Sequence, residues 1–158
     1  MRTERLLELL ERIHPLSQPF KDALDKELQS VSYPKNHFLV QMHSTAHHAY
    51  FMEKGFAAGY YFVERGRVVT SFFQAGEIVL SPQSFFEQSQ SDEVIQVTID
   101  SDLLCISYAS VNKLFEEFPE ANFLARAITA QFHSRSNERM VDLHTLSASA
   151  RYEKLVTR

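Results

Sequence analysis

Apolar residues in the first thirty positions recur at helical spacing, and then the period changes to two. Leu6, Leu7, Leu10 and Ile13 fall three and four residues apart behind Thr3, which predicts a helix capped by Thr3 with glutamate in its first turn. His14-Pro15 ends it. Ser17 predicts a second cap, with Pro19 in the first turn and Phe20, Leu24 and Leu28 along one face. From Val31 onward, residues 31–33 and 37–40 and the alternating Tyr50 and Met52 read as strands, set around a Pro34-Lys35-Asn36 turn and a polar loop at 41–47.

Arg65-Gly66 predicts a hairpin turn between strands at 59–63 and 68–73. All four glycines, at 55, 59, 66 and 76, lie in this β region, where turns need positive φ or strands approach closely. Ser81-Pro82 opens a short helix anchored by Phe85-Phe86. After a polar loop at 89–93, Val94, Gln96 and Thr98 alternate with Ile95, Val97 and Ile99. Asp100-Ser101-Asp102 then turns the chain, and 103–107 closes the sheet. A helix ending at Phe118-Pro119 follows, then a long one from Glu120 to about Leu146, and Ser147 caps a final helix holding Ala150, Tyr152 and Leu155.

This order predicts an α+β fold: a double-stranded β-helix, or jelly-roll-like β roll, with N-terminal helices and a long C-terminal dimerisation helix. Residues 1–119 form the roll and its flanking helices, 120–146 the long helix, and 147–158 the start of a last helix. The N-terminal half of the long helix is apolar almost all round, through Phe123, Leu124, Ala125, Ala127, Ile128, Ala130 and Phe132. Such a helix is covered on all sides. At ~1.5 Å per residue it outreaches a roll of this size, which predicts a homodimer paired through Leu124, Ile128, Phe132, Ser136, Met140 and Leu143; a core helix with a polar end is the other reading, since Gln131, Arg135 and Glu138 interrupt a strict heptad.

Composition narrows the function. With 158 residues, 44% hydrophobic content and 13 Phe, the chain can bury one substantial core. Its one cysteine, Cys105, excludes a disulfide framework, a cysteine-based zinc site and a self-contained iron–sulfur cluster. Cys105 itself reads as a core residue. No apolar run approaches the ~20 residues that span a bilayer, and the N-terminus lacks a signal-peptide core, so a cytoplasmic protein without membrane contact is expected. A formal net charge of −4 gives no general attraction to nucleic acid. The interval between Arg67 and Lys113 contains no lysine or arginine, yet holds Glu77, Glu87, Asp92, Glu93, Asp100 and Asp102.

Several motifs carry a resemblance. Lys54-Gly55 follows Tyr50-Phe51-Met52; Gly76-Glu77-Ile78-Val79 precedes the Ser81-Pro82 helix; Cys105-Ile106-Ser107-Tyr108 forms a strand-to-helix junction; and 146–152 reads as a hinge. In this order they resemble the cyclic-nucleotide-binding domain of the Crp/Fnr transcription regulators, over nearly the whole chain. The resemblance implies a sensor domain whose phosphate cassette follows the Gly-Asp-x-x turn, here Gly76 to Val79. Nucleotide-binding members continue with Gly-Glu and, ten residues later, with Arg followed by Ser or Thr. Here those pairs fall on Leu80-Ser81 and Ser91-Asp92. The glutamate that would grip the ribose and the arginine that would neutralise the cyclic phosphate are both replaced. Asp92 adds repulsion, and the half-charge at the following helix's start does not offset Glu77, Asp92 and Glu93. Cyclic AMP and cyclic GMP are therefore not expected to bind.

The resemblance also implies a winged helix-turn-helix after Arg151, for which about seven residues remain. DNA contact is expected only through a domain not present in these residues. By the family's spacing Ser136 and Asn137 look into the pocket or toward the partner. Ser81, Ser91 and Asp92 join them as polar candidates, and Tyr60 and Phe73 make the pocket more apolar if they face inward. A small neutral or weakly polar ligand fits that set. No cofactor, metal site or catalytic residue is expected. A cupin-like, metal-dependent enzyme is the alternative from another class, on His43, His47, His48 and Glu53; adjacent His47-His48 point to opposite faces of a strand, unlike a His-x-His pair. A stand-alone small-ligand module is the other.

Overall fold

This computed structural model describes residues 3–157, leaving aside the side chains at 139, 143–145 and 155. Two helices, α1 (Glu4–Ile13) and α2 (Gln18–Glu27), precede eight strands: β1 (Gln29–Tyr33), β2 (Phe38–Val40), β3 (His48–Lys54), β4 (Phe56–Val63), β5 (Gly66–Gln74), β6 (Ile78–Val79), β7 (Val94–Val97) and β8 (Ser101–Ser107). The short α3 (Pro82–Glu87) lies between β6 and β7. After β8 come α4 (Tyr108–Glu117), the long α5 (Pro119–Thr145) and α6 (Ala148–Val156). The strands pair antiparallel in two four-stranded sheets, ordered β1-β8-β3-β6 and β2-β7-β4-β5. This is the expected α+β roll.

Neighbouring side chains on a strand point to opposite faces, and the first sheet is apolar on both. Met52 and Leu103 turn inward to join Val40, Ala57, Phe73, Val79, Ile95 and Val97 between the sheets. Phe51 and Leu104 turn outward beneath Leu6 and Leu10 of α1, Phe20 and Leu24 of α2, Leu114 of α4 and Leu124 of α5. The N-terminal helices thus cover a hydrophobic sheet face that water would otherwise wet, a contribution on the order of 2 kcal/mol per large side chain.

The caps follow the sequence in part. Ser17 accepts from the Phe20 amide, Ser107 from Ser110 and Ser147 from Ala150. Thr3 does not cap with its side chain: its buried hydroxyl donates to Asp25 at 3.1 Å and ties α1 to α2. Ser81 makes no cap bond either, and Pro82 alone starts α3. The hairpin turn is Glu64-Arg65, with Gly66 already paired to Val63 as the first residue of β5. Ser101 and Asp102 belong to β8, not to a turn. The bend falls at Thr98 and Ile99, and Asp100 and Asp102 instead accept from the Lys35 amide and the Ser32 hydroxyl.

The long helix corrects the expected dimer stripe. Leu124 is only 4% exposed, and Ile128 and Phe132 pack against the roll's own core, Phe132 lying 6.3 Å from Phe73 between ring centroids. These three seal the roll. Ser136 and Met140 are exposed farther along, and the Leu143 side chain lies outside the described residues. Among the described residues no helix is long and apolar enough to cross a membrane.

Two glycines give a test of backbone strain. Gly55 has φ +127°, and a Cβ there would strike Ser101; Gly66 has φ +133° with open space around it. Gly66→Ala should cost about 1–2 kcal/mol from backbone strain alone. Gly55→Ala should cost more, because the clash adds to the strain. Urea unfolding that ranked Gly66→Ala as the worse variant would contradict the close packing of Gly55 on Ser101.

Candidate functional site

Between the roll and the helices α5 and α6 lies a cleft of about 1590 Å³. The roll supplies β5, the start of α3 and the 90–93 loop; the helical wall carries Thr129, Phe132, His133 and Ser136. Of the residues picked from the sequence, Phe73, Ser81, Ser91, Asp92 and Ser136 line this cleft. The structure brings those five together.

Tyr60 and Asn137 are not in the lining. Ala57 and Gly59 face the crowded interior of β4, so alternation turns Tyr61 toward the cleft and Tyr60 to the opposite side. There the Tyr60 hydroxyl donates to Gln96 at 3.0 Å, and the Arg67 guanidinium lies 4.6 Å over its ring. Tyr60 is covered without facing the pocket. Asn137 is exposed on another face of α5.

The loop around α3 uses its polar groups internally. Ser84 accepts from the Ala46 amide and donates to the Ser89 carbonyl, at 2.9 and 2.7 Å. Gln88, in the left-handed region at φ +50°, donates to the carbonyls of Ala46 and Phe85. Ser91 is buried, and its hydroxyl donates to the Glu93 carbonyl while accepting from the Glu93 amide. Ser91 thus shapes the loop rather than presenting a free hydroxyl to a ligand. The 90–93 loop is also laced to the 41–47 loop, His43 donating to Ser91 and Ser91 to Ser44 through their backbones.

Much of the cleft's charge comes from residues that sequence reasoning did not list as site residues. Glu93 folds its carboxylate over Gly59, so close that a Cβ on Gly59 would meet Oε2 at 3.3 Å, and it accepts from the Thr70 hydroxyl. Tyr61 stands nearby. Its phenol is raised above the usual tyrosine value by burial first, then by the charges of Glu93 and Asp92. Sequence reasoning counted Glu93 among the charges that oppose an anion but singled out Asp92 as the pocket residue. On the helical wall, Arg126, His133, Arg135, Arg151 and Lys154 supply cations. Two are engaged within the helices: Lys154 pairs with Glu138 and Asp142, and Arg151 donates to the Leu146 carbonyl.

The histidines considered for a metal do not converge. His47 shares a bond with Gln88, and His48 tilts toward Tyr50, its pKa lowered by burial and then by the neighbouring His47 charge. Among the described residues no three His, Cys, Asp or Glu side chains gather as a metal site. Cys105 is buried, which raises its thiol pKa and leaves it the inert core residue expected.

With this geometry in place, the family model described as "Cyclic nucleotide-binding domain" matches residues 30–118. No curated protein matches the sequence. Among solved structures, the fold is similar to a cyclic nucleotide-binding domain from Methylobacillus flagellatus, with TM-score 0.76 and 16% identity over 92% of this chain and 85% of that one. It is also similar to the catabolite activator protein of Thermus thermophilus, with TM-score 0.70 and 16% identity over 84% of this chain; the match spans 62% of the Thermus chain. The sensor domain of the transcriptional regulator DNR from Pseudomonas aeruginosa is a third, with TM-score 0.64 and 20% identity over 93% and 99% of the two chains.

Tyr61 offers a direct check on this charge arrangement. A folded pKa raised above the unfolded value near ~10 means that the folded state holds the phenol proton more tightly, so stability falls as pH climbs past ~10. Glu93→Gln should lower the Tyr61 pKa. Absorbance or NMR titration showing no change in that variant would mean that the carboxylate does not face the ring.

Proposed function

This chain belongs to the cyclic nucleotide-binding domain family, and on that premise we propose that it is the sensor and dimerisation domain of a Crp/Fnr-like transcription regulator that does not hold cyclic AMP or cyclic GMP. The observation that carries the second half is the carboxylate over Gly59. A cyclic phosphate placed on the roll side of the cleft would meet Glu93 and Asp92, with no lysine or arginine between residues 68 and 112 to neutralise it. At ~4 Å, two like charges in a surface-proximal site repel by about 4 kcal/mol. Removing the arginine and adding two acids therefore work in the same direction.

The reading of a homodimer rests on the other face of α5. With Leu124, Ile128 and Phe132 committed to the roll, Phe123, Ala127, Ala130, Ser134, Asn137 and Val141 share the opposite side at intervals of four and three residues. That is the spacing of a coiled-coil seam. Phe123 is 42% exposed and Val141 57%, and the Phe123 ring also packs on His14, 4.5 Å between centroids. Asn137 at such a position fixes register, a polar layer amid apolar ones. A ligand in the cleft touches α5 directly, so it biases how two such helices pair, and a downstream element can read that bias. DNA contact falls to a segment outside these residues. No catalysis is assigned, and the small ligand is net neutral, consistent with a cleft whose two walls carry opposite charges.

Sedimentation tests the dimer. The chain should run at twice its 18.3 kDa mass. Ser134→Glu should weaken association at least about tenfold while leaving the monomer folded, because like charges then face one another across the seam. A wild-type protein that stays monomeric, or a Ser134→Glu variant that pairs as before, would overturn the seam.

A further inference from the structure

The cleft is bipolar, and that limits what fits it. Its roll wall carries Asp92 and Glu93 beside Tyr61 and Phe72, and its helical wall carries Arg126 and Arg135. Building on the sensor-domain reading, we propose that the cleft takes a small amphoteric molecule, its ammonium group held against Tyr61, Asp92 and Glu93 and its anionic group turned toward α5.

Three observations converge on this class. First, the Glu93 carboxylate is fixed in place: it lies over Gly59 and accepts from Thr70, so the roll wall presents a negative charge where the chain turns inward. Second, that charge acts on the Tyr61 ring, whose titration it shifts together with Asp92. Carboxylates give an ammonium charge-assisted hydrogen bonds, and ring faces attract it through their quadrupole, together a better match than water for an organic cation. The raised pKa of Tyr61 agrees, since the phenol stays protonated and the wall gains no further charge. Third, a purely cationic ligand would meet cations across the cleft, and a purely anionic one would meet Asp92 and Glu93. Only a molecule carrying both charges is matched by both walls.

Lys154 and Arg151 are not part of this recognition, because Glu138 and Asp142 hold the first and the Leu146 carbonyl accepts from the second. His133 lies on the same helical wall as the two arginines and adds to its positive character when protonated. The cleft volume, about 1590 Å³, leaves room for an aromatic body as well as both charged ends.

Three probes with one skeleton separate the possibilities: L-phenylalanine, phenethylamine and 3-phenylpropionate, each titrated into the full chain by calorimetry and protein NMR. The amphoteric probe should bind tightest and 3-phenylpropionate weakest. Glu93→Gln should weaken L-phenylalanine at least about tenfold. Asp92→Asn, on an exposed carboxylate, is the second variant and should act in the same direction should Glu93→Gln fail to fold. The double variant Arg126→Gln/Arg135→Gln should erase the advantage of L-phenylalanine over phenethylamine. Equal or tighter binding of 3-phenylpropionate, no response to any probe, or carboxylate variants that bind like the wild type would overturn the proposal. Sedimentation of the same samples keeps the two readings apart: a dimer that binds no probe sinks this inference alone, whereas a monomer sinks the sensor-dimer reading whatever the probes do.

Discussion

A carboxylate folded over Gly59 gives the roll wall of the cleft its charge. Glu93 rests over Gly59, reachable because glycine offers no Cβ there, and Asp92 stands beside it on the same loop. The sequence between residues 68 and 112 holds no lysine or arginine. A charge so placed is not easily hydrated away inside a cleft, where the effective dielectric is lower than in water. The roll wall of the cleft therefore carries acidic side chains, and its cations stand on the helical wall.

The second constraint is that one helix serves two surfaces. Along α5, Leu124 packs with α1, α2 and α4 on the outer face of the first sheet, and Ile128 and Phe132 pack against the core between the sheets, so the helix is tied to the core that holds β5. The opposite side, from Phe123 to Val141, carries the spacing of a seam. Both surfaces belong to one helix of ~40 Å, which is why the proposed reading couples the cleft to the seam. Lys154 bridging Glu138 and Asp142 extends the rod's influence into α6.

Much of this was legible in the residues, for identifiable reasons. Ser17, Ser107 and Ser147 cap helices because a small hydroxyl before an amphipathic run has one good use. The order of strands and helices showed the roll, and the single buried cysteine was readable as core. Other features depended on parity and packing that one sequence does not encode locally. Tyr60 and Tyr61 are both aromatic neighbours on β4, and only the inward turn of Ala57 and Gly59 decides that Tyr61 reaches the cleft. In α5 the N-terminal half is apolar all round, so no stripe marks which side meets the roll. Leu124, Ile128 and Phe132 looked like a partner face until the core claimed them. Thr3 had the place of a cap, yet Asp25 from the next helix offered its hydroxyl a buried partner. Ser91 stood where a cation was missing, but its hydroxyl serves the loop's own backbone.

The central claim is that the inherited cradle repels the anion its fold is shaped to hold. Isothermal calorimetry of the full chain with cyclic AMP at low ionic strength measures this most directly, since low salt exposes whichever sign the cradle carries. The account predicts no saturable heat. Micromolar binding at one nucleotide per chain, weakened by added salt, would show a positive cradle and contradict it.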